Sequence, residues 1–355
     1  MSRLTASGLT PKLVRLACTI WPWVGAWLAV GQPLESMAQG APLSLVERWS
    51  LGTLDGNDRF EFGNIEDIAI SEDGSYVFVL DRLKHRLTAI SRNGAIIGSA
   101  GRDGGGPGEF RYPSAVIAGD SVAMVFDAAL GRMSSWVVRG NSLELKREVS
   151  STVFLETRDA CALGGSIVLL RFSNGRILHQ SLPDGTVLRS FGAPFSTGSH
   201  AMMPAATTFG YVACDNRNRS VYVAGSLVPV VRRYRDNGDL LWETVVPGIH
   251  PLVIRPVAGG IRQSPPEGRR YAQSVASLVP LGDSMVVVQF GDDGPGIATS
   301  KDIVQVTTVV MSADDGSVLW HGTTLPKLDL ARGNDVYSHP SDPFPQVRRY
   351  EWRKR

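Results

Sequence analysis

The chain has 355 residues, and its 36 Lys and Arg against 34 Asp and Glu leave a formal charge of only +2. That balance argues against nucleic-acid binding, which needs a basic face. Three cysteines, none in a C-x-x-C pair, exclude a four-cysteine zinc site.

The first predicted element is a secretory signal. Arg3, Lys12 and Arg15 precede the apolar run Leu16 to Val30, which Pro22 interrupts. The run is shorter than the roughly 20 apolar residues of a membrane span. Ser36-Met37-Ala38 then supplies a small-x-small site, so residues 1–38 are expected to be removed after Ala38. Cys18 does not make a lipobox, because Arg15 stands where an aliphatic residue is needed. The mature chain is expected to be periplasmic or secreted, with no membrane span. Losing Arg3, Lys12, Arg15 and Glu35 leaves it with 33 basic and 33 acidic residues.

The remainder repeats. A turn signal, a serine and a short apolar strand recur at Ser75, Ser121, Ser166, Ser220 and Ser284. A second landmark joins two alternating runs in each unit: "RNGAII" at Arg92, "RGNSLEL" at Arg139, "PDGTVL" at Pro183, "DNGDLLW" at Asp236 and "DDGSVLW" at Asp314. Asn-Gly and Asp-Gly between such runs are strong hairpin signals, since both residues tolerate positive φ. With one further strand before each serine, every unit offers four antiparallel strands, a to d, as in propeller blades. Five blades are complete. "DVYSHP" and "PQVRRYEW" read as strands b and c of a sixth, and "SLVERWSL" at Ser44 to Leu51 is left to pair as its outer strand. The fold class is therefore all-β: a six-bladed β-propeller over 43–355, closed by pairing the N-terminal strand into the C-terminal blade.

Gly101 to Pro113, "GRDGGGPGEFRYP", leads from strand d of blade one to strand a of blade two. A P-loop would need Gly-Lys-Ser/Thr and a following helix; here Glu109 and Phe110 lead into a strand. The segment is a joint, with Phe110 placed to pack between blades. It resembles the connectors of NHL-repeat propellers, and the chain looks like the secreted bacterial six-bladed members of that group. The resemblance implies the fold and a habit of binding, without one activity.

In a propeller the d-to-a and b-to-c connections share the face around the channel mouth. The long connections, 101–113, 193–207, 247–273 and 291–302, all fall in that class, and long loops inside a compact domain are often functional. Arg102 and Arg111 lie on the first. The 247–273 insertion carries Arg255, Arg262, Arg269 and Arg270 against Glu267 alone. Arginine forks suit carboxylates and phosphates; the other reading is a solvated mobile loop. Asp292 and Asp293 offer oxygen ligands to calcium, or form a turn with the Gly-Pro-Gly that follows.

Of six histidines, only His200 and His250 fall in mouth-face loops; His85, His179, His321 and His339 are assigned to strands or a hairpin connection. Two fall short of the three protein ligands of a catalytic zinc. Glu66, Asp67 and Asp159 begin inner strands. Strict alternation sends Glu66 and Asp67 to opposite sides, and an inner carboxylate is expected to bind channel backbone. Cys161 and Cys214 hold comparable places in neighbouring blades, as a disulfide or as free thiols. The reading is an exported, monomeric binding module whose mouth face takes a peptide, a glycan or an envelope protein. The alternative is a calcium- or zinc-dependent hydrolase or lyase in the channel. No cofactor is expected, calcium being the ion that the acids would suit.

Overall fold

A computed structural model describes residues 40–54, 58–195, 203–293 and 306–355. The expected signal segment and His200 lie outside them. Among the described residues the regular structure is nearly all strand. Blade one is β2 (Ile65–Ile70), β3 (Tyr76–Asp81), β4 (Arg86–Ser91) and β5 (Ile96–Ala100); blade two is β6 (Pro113–Ala118), β7 (Val122–Asp127), β8 (Arg132–Arg139) and β9 (Ser142–Ser150). Blade three is β10 (Asp159–Leu163), β11 (Ser166–Ser173), β12 (Arg176–Ser181) and β13 (Val187–Phe191). Blade four is β14 (Gly210–Asp215), β15 (Ser220–Gly225), β16 (Val230–Arg235) and β17 (Leu240–Val245).

The 247–273 insertion follows, and it is not an unstructured loop. It holds a separate hairpin, β18 (Val253–Val257) and β19 (Gly260–Ser264). Gly259 at its tip takes φ +82, a conformation that favours glycine. Blade five is β20 (Ala272–Leu281), β21 (Met285–Asp293), β22 (Val306–Ser312) and β23 (Val318–Gly322).

The last blade uses both ends of the chain. Its order is β1 (Leu43–Leu51), β26 (Val347–Lys354), β25 (Asp335–Ser338), β24 (Leu330–Arg332), with β24 innermost. β1 runs antiparallel to β26 from Leu43 opposite Lys354 to Leu51 opposite Val347. The inner strands touch in sequence, β2 to β6, β10, β14, β20, β24 and back to β2, which closes the ring around a channel.

Each apolar run becomes a strand because both its faces are covered by neighbouring blades. In β3, Val77, Phe78, Val79 and Leu80 are all fully buried. Between blades one and two, Phe110 from the glycine-rich joint packs with Phe78, Leu87 and Trp136. Gly101 beside it has φ +99, and a Cβ there would fall 2.4 Å from the Phe110 ring. The joint's glycines thus admit a buried aromatic wedge, and no helix N-terminus faces them.

At the seam, Trp49 of β1 stacks edge-on to Tyr337 and donates to the Arg92 carbonyl of blade one at 2.8 Å. Asp335 accepts from Arg349 at 2.7 Å and pairs with Arg92 at 2.8 Å. Leu43, 1% exposed, anchors the free end of β1 against Val279, Leu281 and Leu328. Leu43→Ala is expected to cost about 2–5 kcal/mol of unfolding free energy, read from denaturant unfolding. A change within ~0.5 kcal/mol would show that the seam does not carry the fold.

Candidate functional site: the channel and its mouth

The connections expected to share the mouth face are tied together by buried carboxylates ending the second strands. Asp81 accepts from the Gly63 and Asn64 amides of the d-to-a connection at 2.6 and 3.0 Å, and from Lys84 of the b-to-c turn at 3.0 Å. Asp127 does the same in blade two with Arg111, Tyr112, Ala129 and Leu130.

Below the mouth the channel encloses a cavity of about 220 Å³. Glu66, Asp67, Asp159, Tyr211, Asp329 and His339 are among its lining residues. Glu66 and Asp67 both face it, against the expectation from alternation, because a bulge between Ile65 and Asp67 inserts an extra residue into the ladder. Asp67 accepts from its neighbour Ile68 N–H at 2.8 Å and from Val116 N–H of blade two at 2.7 Å. Asp159 makes the matching pair, with Ala160 at 2.8 Å and Val212 of blade four at 2.7 Å. The two carboxyls therefore staple blade one to two and blade three to four.

Burial raises the Asp67 carboxyl well above its ordinary value, the nearby Asp159 raises it further, and the two amide bonds only partly oppose this. Burial likewise lifts Asp159 to about 7, against the Val212 and Ala160 bonds. The Tyr211 phenol is pushed up by burial and by Asp329, Asp159, Glu66 and Asp67, which places it amid the acids. Glu66, raised by burial, is held by Arg82 at 3.2 Å.

Asp329 is the exception. Burial would raise it, yet His339 and Lys327 outweigh that and hold it far below the usual range. His339 is itself lowered by burial, with Asp329 opposing and Lys327 reinforcing. Lys327 Nζ lies 2.9 Å from Asp329 Oδ1 and 3.3 Å from His339 Nε2, and the His339 backbone N–H donates to Asp329 Oδ2 at 2.8 Å.

At the rim, cations lie over exposed aromatic rings. Arg82 lies 5.3 Å from the Tyr112 centroid and donates to its hydroxyl at 2.9 Å; Arg158 lies 4.3 Å from that of Phe209. Tyr112 and Phe209 stand immediately before β6 and β14. The Cys161–Cys214 pair is a disulfide, with Cα atoms 5.5 Å apart, and it lines the channel lower down between blades three and four.

The residues singled out in the sequence are dispersed. Arg102 pairs with Glu109 at 2.8 Å, and Arg111 lies with its side chain exposed on the same joint. His250 clamps the base of the insertion: its carbonyl accepts from the Gln273 N–H at 2.8 Å, and its own N–H donates to the Gln273 side-chain oxygen at 3.1 Å. It does not line the channel; the histidine that does is His339, which belongs to the b-to-c connection of blade six and not to a strand. Asp292 and Asp293 are not a turn: they end β21, opposite Gln273 and Ala272. Glu267, Arg269, Arg270, Tyr271, Gln273 and Asp292 line one open pocket of about 520 Å³. Arg255, Arg262, Arg269 and Arg270 are all exposed, and among the described residues none forms an ion pair with a carboxylate. Also among the described residues, no three His, Cys, Asp or Glu side chains gather with metal-ligand spacing.

No protein-family model matches the chain, and no curated protein is similar to it in sequence. Solved structures do match. A member of the DUF4221 family from Bacteroides vulgatus superposes with a TM-score of 0.57 at 11% identity, covering 88% of this chain and 99% of that one. A protein named as exported, from Bacteroides fragilis, gives 0.53 at 9% identity, with 88% and 96% covered. This chain is a six-bladed β-propeller. At such identities the likeness shows the fold alone.

The pH dependence follows from the channel acids. A carboxyl whose folded pKa is raised lends stability that is complete below its unfolded value and lost as pH rises through the folded one. For Asp159 the window runs from 3.8 to about 7. The melting temperature of Asp159→Asn is expected to be lower overall but to fall less across that window, since an amide does not ionise. An unchanged slope would show that the Asp159 carboxyl does not titrate there.

Proposed function

We propose that the chain is an exported binding module that holds a partner on its channel-mouth face. The observation that carries this reading is a contrast in partners. The channel carboxylates are bonded inward, to backbone amides, Arg82, Lys327 and His339. The insertion's four arginines stand exposed, none in an ion pair with a carboxylate among the described residues, and two of them, Arg269 and Arg270, line an open pocket. Arg82 and Arg158 over Tyr112 and Phe209 extend the same chemistry to the rim. Arginine and aromatic side chains are those that interfaces favour.

Export is supported by the basic lead, apolar run and small-x-small site of residues 1–38, and by the disulfide. One structural neighbour is also named as exported. The Gly101 to Pro113 joint, with its buried Phe110, keeps the NHL-type resemblance within this reading.

A photo-reactive residue at Val257 or Phe209 on the mouth face is expected to give covalent adducts in the native host; one at Asp120 or Gly164, on the a-to-b turns of the opposite face, is not. Equal labelling of both faces would refute the assignment. Chelation is expected to leave the melting temperature unchanged. A fall restored by calcium would favour metal chemistry in the channel instead.

A further inference from the structure

The hairpin β18–β19 pairs with no other strand among the described residues. Its register runs from Val257 opposite Gly260, across a two-residue turn, to Val253 opposite Ser264. In such a hairpin the pair flanking the turn exchanges its backbone bonds, and pairs alternate from there between bonded and non-bonded. Pro256 with Ile261 and Ile254 with Gln263 are then the non-bonded pairs, whose amides and carbonyls face outward. The two edges differ. That of β18 lacks a donor at Pro256. That of β19 is complete, with Ile261 and Gln263 both able to donate and accept.

Arg255 and Arg262 form a bonded pair, directly opposite each other and on one face of the hairpin. Their Cα atoms are then about 5.5 Å apart. Like charges in that position repel, and among the described residues no carboxylate pairs with either. Arg269 and Arg270 follow in the same insertion, against one acid, Glu267. The base is not free to drift: the Gln273 N–H donates to the His250 carbonyl at 2.8 Å, and Gln273 is itself paired with Asp292 in the β20–β21 ladder.

We infer that β19 receives an extended acidic segment of a partner protein as a third strand, with a partner carboxylate beside Arg262 on the face that also carries Arg255. This rests on the mouth-face reading above and names its partner class. An open sheet edge selects peptide backbone, which a glycan lacks, while the arginine pair selects carboxylates.

The test uses the purified full chain and a fluorescent peptide alternating glutamate with threonine, followed by anisotropy. The peptide is expected to bind. Arg255→Ala/Arg262→Ala should weaken it by about tenfold or more, as loss of charge-assisted bonds does. Gln263→Pro removes an outward amide of β19 without touching the hairpin's own bonds, and should weaken binding by about fivefold or more. Ile254→Pro makes the same change on the β18 edge, and should leave affinity within about twofold. No binding, equal loss from both proline variants, or a sulfated polysaccharide that competes while Gln263→Pro has no effect would each overturn the inference. If those arms fail while adducts still form from Val257 and Phe209, the mouth-face reading stands and only the acidic strand is lost.

Discussion

Everything in this molecule depends on the ladder between β1 and β26. A propeller of open sheets would leave one flank of blade one and one of blade six uncovered, each as apolar as the interfaces inside the ring. Bringing Leu43–Leu51 to the outside of the C-terminal blade completes that blade and lets β24 meet β2. The six inner strands then converge on one axis, and their first residues become a common lining although they are far apart in the sequence. Trp49 and Asp335 add side-chain links across the same junction, to blade one.

Convergence has an electrostatic cost, and the structure meets it in two ways. Asp67 and Asp159 are dissolved in peptide dipoles, each bonding one amide of its own strand and one of the next blade. Asp329 is instead neutralised by Lys327, with His339 completing the triangle. Through their bonds, Asp67 and Asp159 each hold two neighbouring blades together. The cations of the insertion do the opposite: they stand exposed, none in an ion pair with a carboxylate among the described residues.

The blade pattern was legible because it is local. Ser75, Ser121, Ser166, Ser220 and Ser284 each mark a turn, and the strand after each is apolar for a packing reason that applies in every blade. The unmatched run at Ser44 to Leu51 gave the seam by elimination. The channel cluster was less legible, since Lys327, Asp329 and His339 flank the shortest inner strand, three residues with no serine turn to announce it. Glu66 was misdirected by a rule of alternation that a bulge suspends. Asp292 and Asp293 read as a turn from the Gly-Pro-Gly beyond them, whereas Ala272 and Gln273 hold them in the β20–β21 ladder. The hairpin was written in "VAGGI", but the proline and arginines around it have the composition of loops.

The register at the seam also decides where its two strands begin and end. Leu43 stands opposite Lys354, and the Arg355 amide donates to the Pro42 carbonyl at 2.9 Å. β1 runs from there toward the mouth, and β26 runs away from the mouth to the same corner. The start of β1 and the end of β26 therefore lie together on the face of blade six away from the mouth. The pairing that closes the ring is thus anchored on the opposite face from the connection that carries the insertion's arginines.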